Sequence, residues 1–149
     1  MPRPLRSALP DGTFHVTCRG TRRTSIFADD RDRATFLSLL GKAVARHDWI
    51  CHAYCLMPNH YHLVLDARSE QLSRGMQQLN GGYARHFNDR HEHGGHLFEG
   101  RFRAAPIESD EHLAAAREYV LANPVRAGLC AGVADWPWSG CPSLVSGRS

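Results

Sequence analysis

Residues 49–66 read WICHAYCLMPNHYHLVLD, and this stretch decides the fold. Trp49 to Leu56 is rich in aromatic and β-prone side chains. His60 to Asp66 (HYHLVLD) has the same character, so each half reads as a strand. Met57-Pro58-Asn59 between them is a turn signal. Two strands joined this closely form an antiparallel hairpin.

On the N-terminal side, Phe14 to Arg19 (FHVTCR) alternates Phe14, Val16 and Cys18 with polar residues and predicts a further strand. Gly20 to Thr24 (GTRRT) is a turn carrying two arginines. Asp30 to His47 places Phe36, Leu37, Leu39, Leu40, Ala43 and Val44 at helical spacing, with Asp29 or Asp30 as the cap. On the C-terminal side, Glu70 to Asn88 repeats the helical pattern through Leu72, Met76, Leu79, Tyr83 and Phe87. Gly81-Gly82 is expected to weaken or bend that helix. Asp89 to Gly100 reads as a Gly- and His-rich loop, and Arg101 to Glu108 as a strand. Ser109 caps a last helix, with Asp110 and Glu111 where the helix dipole favours acids. Pro124 is expected to end it, because a residue before proline avoids helical geometry. Trp136-Pro137-Trp138 reads as packed coil. Strand, helix, hairpin, helix, strand and helix in this order specify an α+β class: a ferredoxin-like, split βαβ antiparallel sheet with helices packed on it.

The 149 residues suit a single domain, with a core over about 13–140 and a loose tail at Met1 to Pro10 that lacks the apolar run of a signal peptide. No apolar run approaches the ~20 residues that span a bilayer, so no membrane partner and a cytoplasmic location are expected. The five cysteines have no framework spacing and read as reduced thiols. Cys51 and Cys55 alone have a spacing that zinc ligands also show. The net charge is only +3, yet seventeen of the 18 basic residues are arginine, Lys42 being the exception. Arginine forks match phosphate oxygens two at a time. Codon bias in a GC-rich genome produces the same excess, so position matters more than number.

Two small constellations carry chemistry. His60 and His62 alternate with Tyr61 on one strand, so both imidazoles share a face about 6–7 Å apart at the backbone, suiting one metal ion. A bare His-x-His also fits a polar outer face. Tyr119 and Asn123 lie four apart on one helix face, beside a stripe of Leu113, Ala116, Val120 and Leu121. An ordinary half-buried tyrosine followed by an Asn-Pro stop has the same pattern. His91, His93 and His96 form a third cluster, which reads as solvated loop or as a zinc-hydrolase site without an evident carboxylate base. His112 lies about two turns before Tyr119. Arg19, Arg22, Arg23, Arg101, Arg103 and Arg126 flank the candidate site, as phosphate contacts or as surface charge.

In order along the chain, FHVTCRG, AYCLMPNHYHLVL, LFEGRFRAAPIE, YVLANPVRAGL and WPWS closely resemble the REP-associated tyrosine transposases. These belong with the single-tyrosine insertion-sequence transposases that carry an HUH (His-hydrophobic-His) motif. The resemblance spans roughly residues 13–140, and MPNHYHLVL and NPVRAGL are each specific. It implies a ferredoxin-like fold. It also implies that Tyr119 is the nucleophile and that His60, His62 and Asn123 hold a divalent cation, Mg²⁺ or Mn²⁺. The implied substrate is single-stranded or hairpin DNA.

A phenol is a poor nucleophile while protonated, with an ordinary pKa of about 10. A nearby cation favours the phenolate and polarises the phosphate. Attack leaves a 5′-phosphotyrosine and a free 3′-hydroxyl, so rejoining needs no nucleotide. Consistently, the sequence contains no P-loop pattern. A DNA-hairpin-binding protein that has lost cleavage is the alternative from another class. The presence of Tyr119, His60, His62 and Asn123 together favours the active enzyme. The sequence leaves the oligomeric state open between monomer and homodimer.

Overall fold

The computed structural model describes residues 11–141 and the backbone of residues 144–145, so the tail read over Met1 to Pro10 lies outside the described residues. The elements are β1 (Gly12–Arg19), α1 (Asp30–His47), β2 (Ile50–Met57), β3 (His60–Ala67), α2 (Ser69–His91), β4 (Arg103–Ile107), α3 (Asp110–Arg126), β5 (Ser139–Gly140) and β6 (Leu144–Val145). Short 3₁₀ turns cover Thr21–Arg23 and Val133–Asp135. None of the described helices is long and apolar enough to cross a membrane.

The strands lie in the order β4-β1-β3-β2-β5, with β6 also paired to β2, and every pairing is antiparallel. The first four strands have the split βαβ arrangement expected from the sequence. β3 runs through the middle. His62 stands opposite Thr17 of β1 and Cys55 of β2, and His60 opposite Arg19 and Met57.

Alternation along the strands supplies two faces. On one, Phe14, Val16, Cys18, Tyr61, Leu63 and Leu65 pack with Phe36, Leu40, Leu72, Met76 and Tyr83 of α1 and α2 in the main core. The Tyr61 hydroxyl donates to Asn80 Oδ1 at 2.5 Å and the Tyr83 hydroxyl to the Ile26 carbonyl at 2.5 Å, so neither buried hydroxyl is orphaned. On the other face, Ala53, Cys55, Met57 and Val64 meet Ala116 and Val120 of α3 in a smaller cluster.

A bulge between Cys51 and Ala53 shifts the β2 register by one residue. Cys51 therefore joins the main core and Cys55 the cluster under α3. Their spacing cannot serve one zinc ion, because the sheet separates them.

The caps form as the sequence predicts. Asp29 accepts from the Asp32 N–H at 3.2 Å, and Ser109 from the His112 N–H at 3.0 Å. Four boundaries differ. α2 runs unbroken through Gly81-Gly82 to His91, because Arg90, His86 and His91 are tied to the fully buried Asp32 of α1 at 2.7, 3.0 and 2.8 Å. Tertiary pairing overrides the weak propensity of two glycines. β4 is shorter than expected, starting at Arg103. β5 and β6 add two short strands in the tail. α3 passes through Pro124 and ends at Arg126, because proline at this point removes one hydrogen bond while the following turn still closes. Ala127 N–H donates to the Asn123 carbonyl at 3.0 Å and Leu129 N–H to the Pro124 carbonyl at 2.9 Å.

Two glycines of α2 predict opposite responses. A β-carbon at Gly75 would overlap the Trp49 indole and approach His47 Cδ2 to 2.9 Å, whereas one at Gly81 meets nothing within 4 Å. Gly75→Ala is expected to cost about 1–3 kcal/mol through overpacking. Gly81→Ala is expected to gain about 0.4–1 kcal/mol by restricting the unfolded chain. Urea unfolding midpoints check both, and a stabilised Gly75→Ala would contradict this packing.

Candidate active site

The face of the sheet under α3 carries more than apolar residues. β3 presents His60 and His62 there, as the alternation predicts, with ring centroids 4.9 Å apart. α3 crosses above them and lowers Asn123 onto His62, the amide Nδ2 lying 2.8 Å from His62 Nε2. One turn earlier, the Tyr119 ring packs edge-on against His62 at 6.1 Å. His62 is 7% exposed and Tyr119 51%, so the ring nitrogen is enclosed while the phenol faces solvent. All four residues singled out for chemistry are thus brought together from two elements.

Because α3 continues past Pro124, Arg126 lies two turns after Tyr119 on the same helix. Its guanidinium stacks 4.1 Å from the Tyr119 ring centroid, and Nη2 donates to the Tyr119 carbonyl at 3.0 Å. That geometry is a cation–π contact that holds the ring. Arg19, Arg101 and Arg103 line a cavity of about 150 Å³ together with Thr17, Cys18, His60, His62, Glu99 and Gly100. Arg22 and Arg23 lie outside that cavity, on the turn beside Pro58-Asn59, where Asn59 Nδ2 donates to the Arg23 carbonyl at 3.3 Å. A wider groove of about 650 Å³ shares Glu99, Gly100 and Arg101 with the cavity and continues past Phe98, Gln77 and Gly81.

Sequence reasoning missed His15 and Glu99. His15 Nε2 lies 2.9 Å from His62 Nδ1, and its ring touches Tyr119 edge-on at 5.9 Å. The signal was present: alternation in FHVTCR puts His15 and Thr17 on the face opposite Phe14, Val16 and Cys18. Glu99 carried no periodic signal, since it sits in an irregular loop. His112 turns back to the start of its helix, where Nδ1 accepts from the Glu108 N–H at 3.3 Å. The three loop histidines do not converge. His91 is bonded to Asp32, and His93 Nδ1 donates to Asn88 Oδ1 at 2.7 Å.

The imidazoles are kept neutral. Burial pushes His62 down to about 3, helped by the neighbouring His60 and His15, which disfavour a second proton in the cluster, and by the positive charge of Arg126 and Arg19. Burial and then Arg19 lower His60, and burial and then His112 lower His15. The hydrogen-bond network assigns the His60 tautomer. Asn59 Oδ1 accepts the His60 Nδ1–H at 2.8 Å, leaving Nε2 with its lone pair. His62 bridges two side chains, with Asn123 Nδ2 beside its Nε2 at 2.8 Å and His15 Nε2 beside its Nδ1 at 2.9 Å.

This donor set fits a divalent cation. Two neutral imidazoles each present Nε2, and a half-turn of the Asn123 amide brings Oδ1, a suitable donor for a hard cation, to the place of Nδ2. Among the described residues no group of three His, Cys, Asp or Glu side chains is placed to hold a metal ion.

A family model described as "Transposase IS200 like" matches residues 9–123. A solved REP-associated tyrosine transposase bound to a REP hairpin shares the fold with a TM-score of 0.74 and 18% identity, over 100% of this chain and 93% of the other. A candidate transposase from Deinococcus radiodurans R1 aligns with a TM-score of 0.54 and 17% identity, over 89% of this chain and 100% of the other. No curated protein matches significantly.

The enclosed ring predicts a pH response. An unfolded histidine binds a proton near pH 6.5, whereas folded His62 does so only near 3. Its contribution to stability is therefore complete above pH 6.5 and is lost as pH falls, by about 1.4 kcal/mol per pH unit. In an NMR titration His62 is expected to stay neutral down to about pH 4. A midpoint near 6.5 would contradict its enclosure.

Proposed function

The chain belongs to the IS200-like transposase family, and from that premise we propose that it is a metal-dependent single-strand DNA nuclease and strand-transferase with Tyr119 as nucleophile. The observation that carries this reading is the convergence of Tyr119 and Asn123 on His62 from a separate element. A tyrosine merely half-buried on a helix has no reason to bring an asparagine onto a buried histidine.

Tyr119 Oη attacks the DNA phosphorus, and the bond from phosphorus to O3′ breaks. The phenol loses its proton and the departing 3′-oxygen gains one, leaving a 5′-phosphotyrosine and a free 3′-hydroxyl. The energy of the broken ester is retained in the new one, so the reverse attack rejoins DNA. His60 Nε2, His62 Nε2 and Asn123 Oδ1 would hold Mg²⁺ or Mn²⁺, which supplies positive charge to polarise the scissile phosphate. Arg126 fixes the Tyr119 ring between the sheet and solvent, in reach of a strand laid along this face. Arg19, Arg101 and Arg103 surround the adjoining cavity and bind phosphate oxygens. Arg22 and Arg23 extend the same basic edge along the neighbouring turn. The groove beyond takes unpaired nucleotides, with Phe98 at its wall.

The fold shared with a transposase that holds a REP hairpin supports single-stranded or hairpin DNA as the partner. A cytoplasmic location is part of the same proposal.

Labelled DNA hairpins with single-stranded flanks, incubated with the protein and Mg²⁺ or Mn²⁺, are expected to give a protein–DNA adduct that survives denaturation. Tyr119→Phe should lower adduct formation by about 10³-fold or more, as loss of a nucleophile does elsewhere. His60→Ala or EDTA should abolish it. An adduct that persists in Tyr119→Phe would mean another nucleophile. Tight hairpin binding with no adduct on any substrate would identify a binding protein instead.

A further inference from the structure

We propose that His15 is a positioning residue: it takes the proton-bearing nitrogen of His62 and thereby turns the lone pair of His62 Nε2 toward Asn123 and the cation. This rests on the metal site described above.

A neutral imidazole carries one proton on either of two nitrogens, and the partners of those nitrogens decide which. His62 is 7% exposed, so water does little to bias the choice. Left to Asn123 alone, the ring would have two equal solutions. The amide nitrogen can donate to Nε2, or the amide oxygen can accept from Nε2–H. The second solution points a proton at the place where a metal ligand is needed.

His15 removes this degeneracy by carrying its own proton on Nδ1, which leaves Nε2 as the acceptor for His62. Its Nε2 stands 2.9 Å from His62 Nδ1, with the rings 5.2 Å apart and tilted by 30°. His15 is opposite Val64, and His62 is opposite Thr17, so the two histidines meet diagonally across β1 and β3. His60 has an equivalent partner in Asn59 Oδ1, also on Nδ1. Each candidate ligand thus has its own acceptor on the nitrogen away from the cation, an arrangement that fixes ring orientation and strengthens the ligand. His15 also meets the Tyr119 ring at 5.9 Å, so one side chain touches both a ligand and the nucleophile. Its immediate neighbour across the sheet, Val64, shows that an apolar side chain is accommodated on this face. A histidine here therefore does something that filling space does not require.

The test compares His15→Gln with His15→Leu. The Gln amide oxygen reaches about as far as a histidine Nε2 and retains an acceptor, whereas Leu has none. Long-range ¹H–¹⁵N NMR on the metal-free proteins reads the His62 tautomer directly. The wild type and His15→Gln should show the Nδ1–H form, and His15→Leu a shift to Nε2–H. Calorimetry with Mn²⁺ should show affinity about 10–100-fold weaker in His15→Leu and within roughly 3-fold of wild type in His15→Gln. If His15→Leu does not fold, His15→Asn, whose oxygen is too short to reach, should show the same loss. Wild-type tautomer in the variant lacking the acceptor, or Mn²⁺ affinity equal to wild type, overturns the proposal. Absence of Mn²⁺ binding by the wild type would instead overturn the metal site, with the tautomer measurement still deciding what His15 does.

Discussion

The pairing register of β3 between β1 and β2 is the constraint on which the rest of the structure depends. Strand side chains repeat every two residues, so a slip by one would exchange the faces. In the observed register Tyr61, Leu63 and Leu65 enter the core with α1 and α2, while His60, His62 and Val64 face α3. A slipped strand would bury His62 among apolar side chains and expose Tyr61, which is fully enclosed and bonded to Asn80. Burial of three large side chains is worth several kcal/mol. The hydrophobic core thus places the polar site on the other side of the same strand.

The two faces are anchored unequally. α1 and α2 share a broad core and the buried Asp32, whose carboxylate is met by Arg90, His86 and His91 and by the Ala28 N–H. α3 rests on small side chains, with Ala116, Val120 and Pro124 as its buried residues. Small residues let the helix approach closely enough for Asn123 to reach His62. They also give α3 less buried apolar area than the other helices, so its hold on the sheet relies more on the polar contacts around the site. The chain of bonds from Asn123 through His62 to His15 is therefore part of the packing of α3 on the sheet.

Local patterns disclosed the elements better than their ends. The hairpin was readable because Met57-Pro58-Asn59 interrupts two β-prone runs, and the caps at Asp29 and Ser109 because cap chemistry is local. The end of α3 was misread because the rule for residues before proline concerns one residue, whereas the observed ending depends on the bonds Ala127 and Leu129 make beyond it. The bulge at Cys51 and Ala53 has no signature in composition. It nonetheless decides that two cysteines four residues apart lie on opposite faces. His15 was visible as the polar partner in an alternating strand, yet nothing local said which histidine it would meet.

By itself the sequence determined the α+β class, the order of the elements and the two short spacings, His60-Tyr61-His62 and Tyr119 to Asn123. Each follows from a periodicity of two or about four residues that backbone geometry imposes on neighbours. Tertiary structure decided that these spacings meet at one place, that His15 and Glu99 stand beside them, and that Arg19, Arg101, Arg103 and Arg126 border the site while Arg22 and Arg23 do not line its cavity. Those facts depend on sheet register and helix crossing, which join residues tens of positions apart and leave no mark on the spacing of either one.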